Sequence, residues 1–318
     1  MNRKAVAVVG IIIIIAAIAG YYYFQSSTWT VKQTIYVSGA FALYPLMVQW
    51  AQEYQNTHPT VTIEVSAGGA GKGMTDALNG LVDIGMVSRE IDPNETQAGA
   101  FYVAVTKDCV VATINKDNPV LNDILTKGIT KQVFYNIFIA GNITTWGQVV
   151  GKPEVTDAIN VYTRSDSCGA ADTWAKYLGK KQEDLLGIGV NGDPGLVEAV
   201  KSDRLGIGFN NIGYAYDMQT KGQVDGIKVV PIDLNKNGQV DSEENVYERK
   251  DQIVTAILQD VYPSPPARNL NLVTKNAFTG ATKDFVRWIL TDGQQYVEAA
   301  GYVSLPQSVL DEQLNKLG

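Results

Sequence analysis

Three times in this chain a strand-like run ends in a cluster of small residues that feeds directly into a helical pattern: Ser38–Ala42, Ala67–Gly73 and Ser165–Ala171. Such a strand–loop–helix rhythm implies an α/β architecture rich in parallel strands. Lys32 to Val37 reads as the first strand. Leu43, Leu46, Met47, Trp50, Ala51 and Tyr54 then recur at helical spacing, with Pro45 tolerated in the first turn. Val61 to Val65 predicts a strand, Gly68 to Gly73 a loop, Met74 to Leu81 a helix and Val82 to Val87 another strand. A long strand over Tyr102 to Ile114 leads into a second α/β block. The Tyr262-Pro263-Ser264-Pro265-Pro266 linker suggests a return to the first block, where Asn269 to Val273 is a strand followed by helices around Phe285–Leu290 and Gln294–Ala300. No internal repeat is visible.

Each of the three turns presents unpaired backbone N–H groups and the positive end of a helix dipole, a ready-made anion seat. Glycine and alanine let a ligand approach the backbone closely. Arg164 opens the third turn and Arg89 follows a strand end, each with a fork that matches a tetrahedral oxyanion. One Gly-rich loop alone is ordinary turn chemistry, and one arginine alone is a solvated or salt-bridged residue. Three such loops with two arginines, all at strand ends, favour an oxyanion site. The Gly68–Gly73 stretch is not a nucleotide P-loop, because Ser66 takes the first-glycine position and Gly73 follows Lys72 where Ser or Thr is needed.

Composition narrows the chemistry. At 318 residues the chain has room for about two domains. Its 26 basic and 33 acidic residues give a net charge of -7, so no basic field exists for a nucleic acid. His58 is the one histidine and reads as a loop residue, which removes most Ser-His, Cys-His and His-rich metal mechanisms. An uncharged run from Ala5 to Phe24 follows Arg3 and Lys4 and could span the roughly 30 Å hydrocarbon layer. Ala17-Ile18-Ala19 fits a signal-peptide cleavage site, whereas Tyr21-Tyr22-Tyr23 suits the interfacial belt of a retained anchor. Both readings of residues 1–26 put the globule outside the cytoplasm. Cys109 and Cys168 are expected to remain thiols, and the tryptophans to pack in cores.

A second motif stands apart from these loops. Asp233, Asn235, Asn237, Gly238, Gln239, Asp241 and Glu244 satisfy D-x-[DN]-x-[DN]-G-x5-E in full. Calcium asks for oxygen ligands at the first, third and fifth positions, a backbone carbonyl at the seventh, an often water-mediated ligand at the ninth and a bidentate glutamate at the twelfth. The alternative is an acidic Asn-Gly turn without metal. The strand-like Ile227–Ile232 before it argues for a lone, structural calcium loop.

Taken in order, SGAFALYPLMVQWAQEY, SAGGAGKGMTDALNGLVDIGMVSREI, YTRSDSCGAADTW and GDPGLVEAVKSDRLGIGFNNIGYAYD resemble the phosphate-binding proteins of ABC uptake systems. YPSPPARNLNLVTK and the closing AGYVSLP extend the resemblance over residues 33–318. It implies an α/β, two-lobed periplasmic-binding-protein type II fold that closes on a central cleft about a hinge. Lobe 1 would comprise residues 27–112 and 265–318, and lobe 2 residues 113–264 with the calcium loop 233–244.

The same resemblance assigns the site. Ala40, Phe41 and Ala42 stand where the family carries Ser and Thr, leaving backbone donors only. Ala70 stands where a serine is usual, beside Gly71. Ser88 and Arg89 match a Ser-Arg pair, Ser88 taking a position where some members accept the ligand's proton on an aspartate. Arg164 matches the binding arginine and Asp166 its orienting partner, with Cys168-Gly169-Ala170 in place of Ser-Gly-Thr. Each lost hydroxyl bond costs about 0.5–1.5 kcal/mol, which charge-assisted bonds from two arginines offset. The expectation is a monomeric, non-enzymatic receptor that hands inorganic phosphate to an ABC permease. Loss of Arg164 should remove affinity and leave the fold intact. The alternatives are a receptor for sulfate or tungstate, or an anchored phosphate-ester hydrolase. Against the hydrolase count the lone histidine and the scarcity of carboxylates in the three loops.

Overall fold

The computed structural model describes residues 32–318. The apolar run over 5–24 lies outside them, and among the described residues no helix is long and apolar enough to cross a membrane. Strands β1 (Gln33–Gly39), β2 (Val61–Ala67) and β3 (Ile84–Val87) are parallel, β1 lying between the other two. The helix α1 (Tyr44–Thr57) crosses from β1 to β2 and buries Leu46, Met47, Trp50, Ala51 and Tyr54, the stripe its spacing dictates. It ends at His58, whose ring stacks 3.9 Å from that of Tyr54. The next crossover, α2 (Ala70–Leu78), starts four residues before the expected Met74. Gly73 explains the difference: an added Cβ there would meet the carbonyl oxygens of Met86 and Ser38 at 2.6 and 3.0 Å. The helix packs so closely on the sheet that tertiary contact, not propensity, sets its start.

Strand β4 (Ala100–Asn115) is 16 residues long and leads into the second block. There β5 (Asn160–Arg164), α3 (Gly169–Tyr177), β6 (Ile188–Val190), α4 (Gly192–Ser202) and β7 (Gly206–Asn211) repeat the rhythm, with β5 parallel to both β6 and β7. After β8 (Ile227–Val229) and α5 (Lys250–Leu258), the proline-rich linker delivers β9 (Ala267–Lys275) back to the first block. Helices α6 (Gly280–Leu290) and α7 (Gln307–Leu317) close the chain. The helix expected at Gln294–Ala300 is instead a 3-10 turn over Asp292–Tyr296, which places the Gly293 carbonyl 2.7 Å from the Trp50 indole N–H.

Strand order is β2-β1-β3-β9-β4-β7-β5-β6, with β8 on β4. The parallel reading holds at both ends and fails at the centre, where β4 runs antiparallel to β7, β8 and β9, and β9 antiparallel to β3. A returning strand that follows a linker is under no obligation to run parallel. Two hydrophobic cores result. One gathers Ile35–Val105 with Leu270–Leu317; the other gathers Cys109–Ala267 with Val303. β4 and β9 feed both cores, and their pairing register shifts between Ala104 and Thr106, next to the place where one core gives way to the other.

Candidate ligand site

The C-terminal ends of β1, β2, β3 and β5 meet on the line between the two cores. The Gly71 N–H donates to the Ser167 carbonyl at 3.1 Å. An added Cβ at Gly169 would lie 2.2 Å from both the carbonyl and hydroxyl oxygens of Ser88, so only glycine permits this approach. At Gly192, the first residue of α4, an added Cβ would lie 3.1 Å from the tip of the Phe41 ring. Phe41 in turn lies over the guanidinium of Arg164, 5.4 Å from its ring centroid to the Arg164 Cζ. The three small-residue turns read from the sequence are thus one locus.

What these loops offer an anion is backbone. Among the described residues, the N–H groups of Phe41, Ala42, Ala70, Gly169 and Ala170 have no acceptor in the protein. The last three belong to the first turns of α2 and α3, whose N–H groups are unpaired by geometry. Ala40 differs: its N–H is spent on the Met86 carbonyl at 2.9 Å. Two tyrosines hold the first loop, Tyr214 donating to the Phe41 carbonyl at 3.3 Å and Tyr302 to that of Ala42 at 2.7 Å. Ser88 is buried against Gly169. Cys168 uses its sulfur to cap α3, accepting the Ala171 N–H at 3.4 Å, and burial pushes its thiol up to about 12. Both cysteines are free thiols.

Arg164 is buried, its side chain 1% exposed, and is held by two carboxylates. Asp166 receives Nε and Nη2 at 2.8 and 2.6 Å, and Asp193 receives Nη1 at 2.7 Å. Burial alone would raise the Asp166 carboxyl, but the guanidinium bonded to it holds it below the usual range. Asp166 also accepts the Gly192 N–H at 3.1 Å, fixing the start of α4. Removing Arg164 would leave the buried Asp193 and the half-buried Asp166 without their cation, so a stability cost is expected alongside the loss of affinity.

Asp193, fully buried, carried no signal of its own in the sequence beyond its place in the Gly192-Asp193-Pro194-Gly195 turn ahead of an amphipathic helix. It also accepts the backbone and side-chain N–H groups of Asn211 at 2.9 and 2.8 Å. Arg268 of β9 extends the network, donating to Asn211, to the Gly169 carbonyl, to Thr173 at 2.9 Å and to Asp108 at 2.9 Å. These partners are drawn from across the chain, and no local spacing links them.

Arg89 is directed elsewhere. Its fork closes on Glu95 at 2.9 and 2.6 Å, and the hydrogen bond to that carboxylate raises its pKa. It borders a cavity of about 540 Å³ shared with Tyr102, Asp172, Lys176 and Arg268. Ser88 and Arg89, adjacent in sequence, therefore serve different neighbours.

The acidic loop is folded on itself. Asp233 accepts the N–H groups of Lys236 and Gly238 at 2.6 and 3.0 Å, and Glu244 those of Leu234 and Asn235 at 2.8 and 3.2 Å. Asn235 and Asn237 both donate to Asp241, at 2.7 and 2.8 Å, while Gln239 reaches Asn237 through its backbone. Gly238 takes φ 77°, as the tight turn demands. Among the described residues, no three His, Cys, Asp or Glu side chains are gathered in a metal-holding group.

Comparison with known proteins places this arrangement. A family model described as a PBP superfamily domain matches residues 25–293. Phosphate-binding protein PstS of Methanocaldococcus jannaschii is 28% identical, over 92% of this chain and 88% of that one. Protein SphX of Synechococcus elongatus is 26% identical, over 96% and 87%. A putative phosphate ABC transporter substrate-binding protein with bound phosphate from Clostridium perfringens superposes with TM-score 0.70 at 24% identity, covering 86% of this chain and all of that one (100%). With its α/β fold, two cores and cleft-lining strand ends, the chain belongs to the PBP superfamily.

Proposed function

We propose that this protein is an extracytoplasmic receptor that captures inorganic phosphate, without chemistry on it, and delivers it as a monomer to an ABC permease. One observation carries the reading: free backbone N–H groups from loops of both cores converge beside the buried guanidinium of Arg164. Oriented N–H groups at helix N-termini suit a compact oxyanion and need no hydroxyl. The relatives' names, phosphate-binding protein PstS among them, support the same ligand. On this reading residues 27–112 with 265–318 form one lobe and 113–264 the other, turning about the β4–β9 ladder. Arg164 acts with the N–H groups of Phe41, Ala42, Ala70, Gly169 and Ala170, while Arg89 braces the strand end that carries Ser88. Calcium, held by Asp233, Asn235, Asn237, Gln239, Asp241 and Glu244, would pin the loop before α5.

Calorimetric titration of the purified protein with phosphate tests the assignment. Saturable heat with one site per chain is expected; absence of phosphate heat from acid to mildly alkaline pH sinks it.

A further inference from the structure

The chain holds two N-x-[ST] triplets, Asn94-Glu95-Thr96 and Asn142-Ile143-Thr144, and the fold treats them differently. An enzyme that modifies such a triplet meets the asparagine amide and the hydroxyl two residues on from one side. Side chains two apart point to opposite sides of a helix but to the same side of an extended chain. Asn94 lies within the helical turn Pro93–Gln97. A capping box there ties the Asp92 carboxylate to the Asn94 N–H at 2.8 Å and the Glu95 carboxylate to the Asp92 N–H at 2.8 Å. Glu95 is also the partner of Arg89, so presenting Asn94 means unwinding the turn and releasing that ion pair.

Residues 142–144 belong to neither helix nor strand, and Asn142 and Thr144 are exposed. Their backbone is anchored. The Asn142 N–H donates to the Asn136 carbonyl at 3.1 Å, the Thr144 N–H to Gln148 at 2.8 Å, and the Ile159 N–H to the Thr144 carbonyl at 2.8 Å. Among the described residues, the Asn142 amide and the Thr144 hydroxyl have no hydrogen-bond partner. A fixed chain thus offers both groups to solvent with no helix to unwind.

Beside this loop runs an open sheet edge. An added Cβ at Gly141 would lie 3.0 Å from the Leu186 Cδ1, and the Leu186 N–H donates to the Phe138 carbonyl at 2.7 Å. Leu186 leads into β6, the last strand in the order, paired with β5 on one side. Leu185–Val190 contains no charge and no proline, two usual guards of an edge. Leu186 is 44% and Ile188 58% exposed. Shortness is the protection that remains to a strand of three residues.

Resting on the extracytoplasmic part of the reading above, we propose that Asn142 is a site of N-linked glycosylation whose glycan covers the open β6 edge. The co-substrate is an oligosaccharide joined to a polyprenyl phosphate carrier and supplied by a membrane transferase. The Asn142 amide nitrogen bonds to the anomeric carbon of the sugar. The bond from that carbon to the carrier's phosphate oxygen breaks, its electron pair leaving with the phosphate. The amide gives up one of its two protons to a base, and nothing is oxidised or reduced. A bulky, hydrated glycan beside Leu186 and Ile188 keeps a second copy of the chain from adding a strand to β6.

The test takes the protein from the cells that produce it. Mass spectrometry of the tryptic peptide Gln132–Arg164 should show the mass of a glycan added at Asn142, while Glu90–Lys107, which carries Asn94, keeps its plain mass. Asn142→Gln and Thr144→Val each change a side chain without protein hydrogen bonds, so both should fold and lose the added mass. On size exclusion, Asn142→Gln should shift from monomer toward larger assemblies, a shift reversed by Ile188→Lys in the same chain. An unmodified Asn142, a glycan at Asn94 in its stead, or added mass that survives Thr144→Val overturns the site. An Asn142→Gln protein as monomeric as the wild type overturns the covering role. An amine-reactive label that does not cross membranes, applied to intact cells, separates the premises. Unmodified Asn142 on a labelled chain defeats this inference alone; a chain beyond the label's reach defeats the extracytoplasmic reading with it.

Discussion

Phe41 and Arg164 lie on chain segments that feed opposite cores and meet with 5.4 Å between the ring centroid and the guanidinium carbon. The face of the cation is therefore covered by the loop that supplies two of the free N–H groups. A desolvated contact of this kind contributes about 1–2 kcal/mol. Phe41→Leu keeps the bulk and removes the quadrupole, so phosphate affinity should drop about fivefold in a calorimetric titration. Unchanged affinity would remove this contact from the account of closure.

Gly169 is the tightest point between the two cores. With a Cβ 2.2 Å from two oxygens of Ser88, Gly169→Ala should hold the cores apart. Small-angle scattering should show a more open particle, and ligand affinity should be lost, while circular dichroism stays that of the wild type.

Arg164→Ala should cost stability as well as binding. Taking the cation away from the buried Asp193 and the half-buried Asp166 costs about 3–5 kcal/mol. Chemical denaturation should show that loss with no ligand present, and a midpoint equal to wild type would contradict the ion-pair geometry.

Lys250 is buried with its ammonium on the Ala300 carbonyl at 3.1 Å and over the Tyr302 ring. Burial, aided by Lys221, lowers its pKa to about 8. A lysine lowered on folding binds fewer protons in the native state than in the unfolded one between about 8 and its ordinary value. Stability is therefore reduced below about pH 8 and recovers as pH rises through that window. Lys250→Met should raise the melting temperature at neutral pH by several degrees and abolish the rise toward pH 10. A wild-type melting curve that is flat across this range would rule the effect out.

For the acidic loop, millimolar calcium should raise the melting temperature of the wild-type protein, because a ligand bound only by the folded state adds its binding free energy to stability. Glu244→Ala should abolish that increment. A wild-type melting temperature indifferent to calcium removes the metal assignment.

Local pattern carried much of this molecule. The stripe from Leu46 to Tyr54 became α1, and the strand-like runs Lys32–Val37 and Tyr102–Ile114 became β1 and β4. The small-residue turns became neighbours in space because each ends a strand at the same edge. What local pattern does not encode is pairing at a distance. The antiparallel centre depends on how β9 re-enters, and Asp193 reaches Arg164 across 29 positions with an aspartate's ordinary appearance. Arg89 looked like its counterpart Arg164, yet Glu95, six residues on, engages it. An arginine's partner is decided by the nearest carboxylate in space, and the sequence holds many.

β4 and β9 are hydrogen-bonded to each other where they pass from one core to the other, with an irregular register at Ala104–Thr106. Paired strands twist and bend readily but do not slide, and a bulge concentrates the bending at one place. On the proposed motion, the loops come together along one arc whatever the ligand, and part along the same arc. Residence time then belongs to backbone mechanics as much as to the anion's contacts: a change at the irregularity would retime release with every ligand-facing donor left in place.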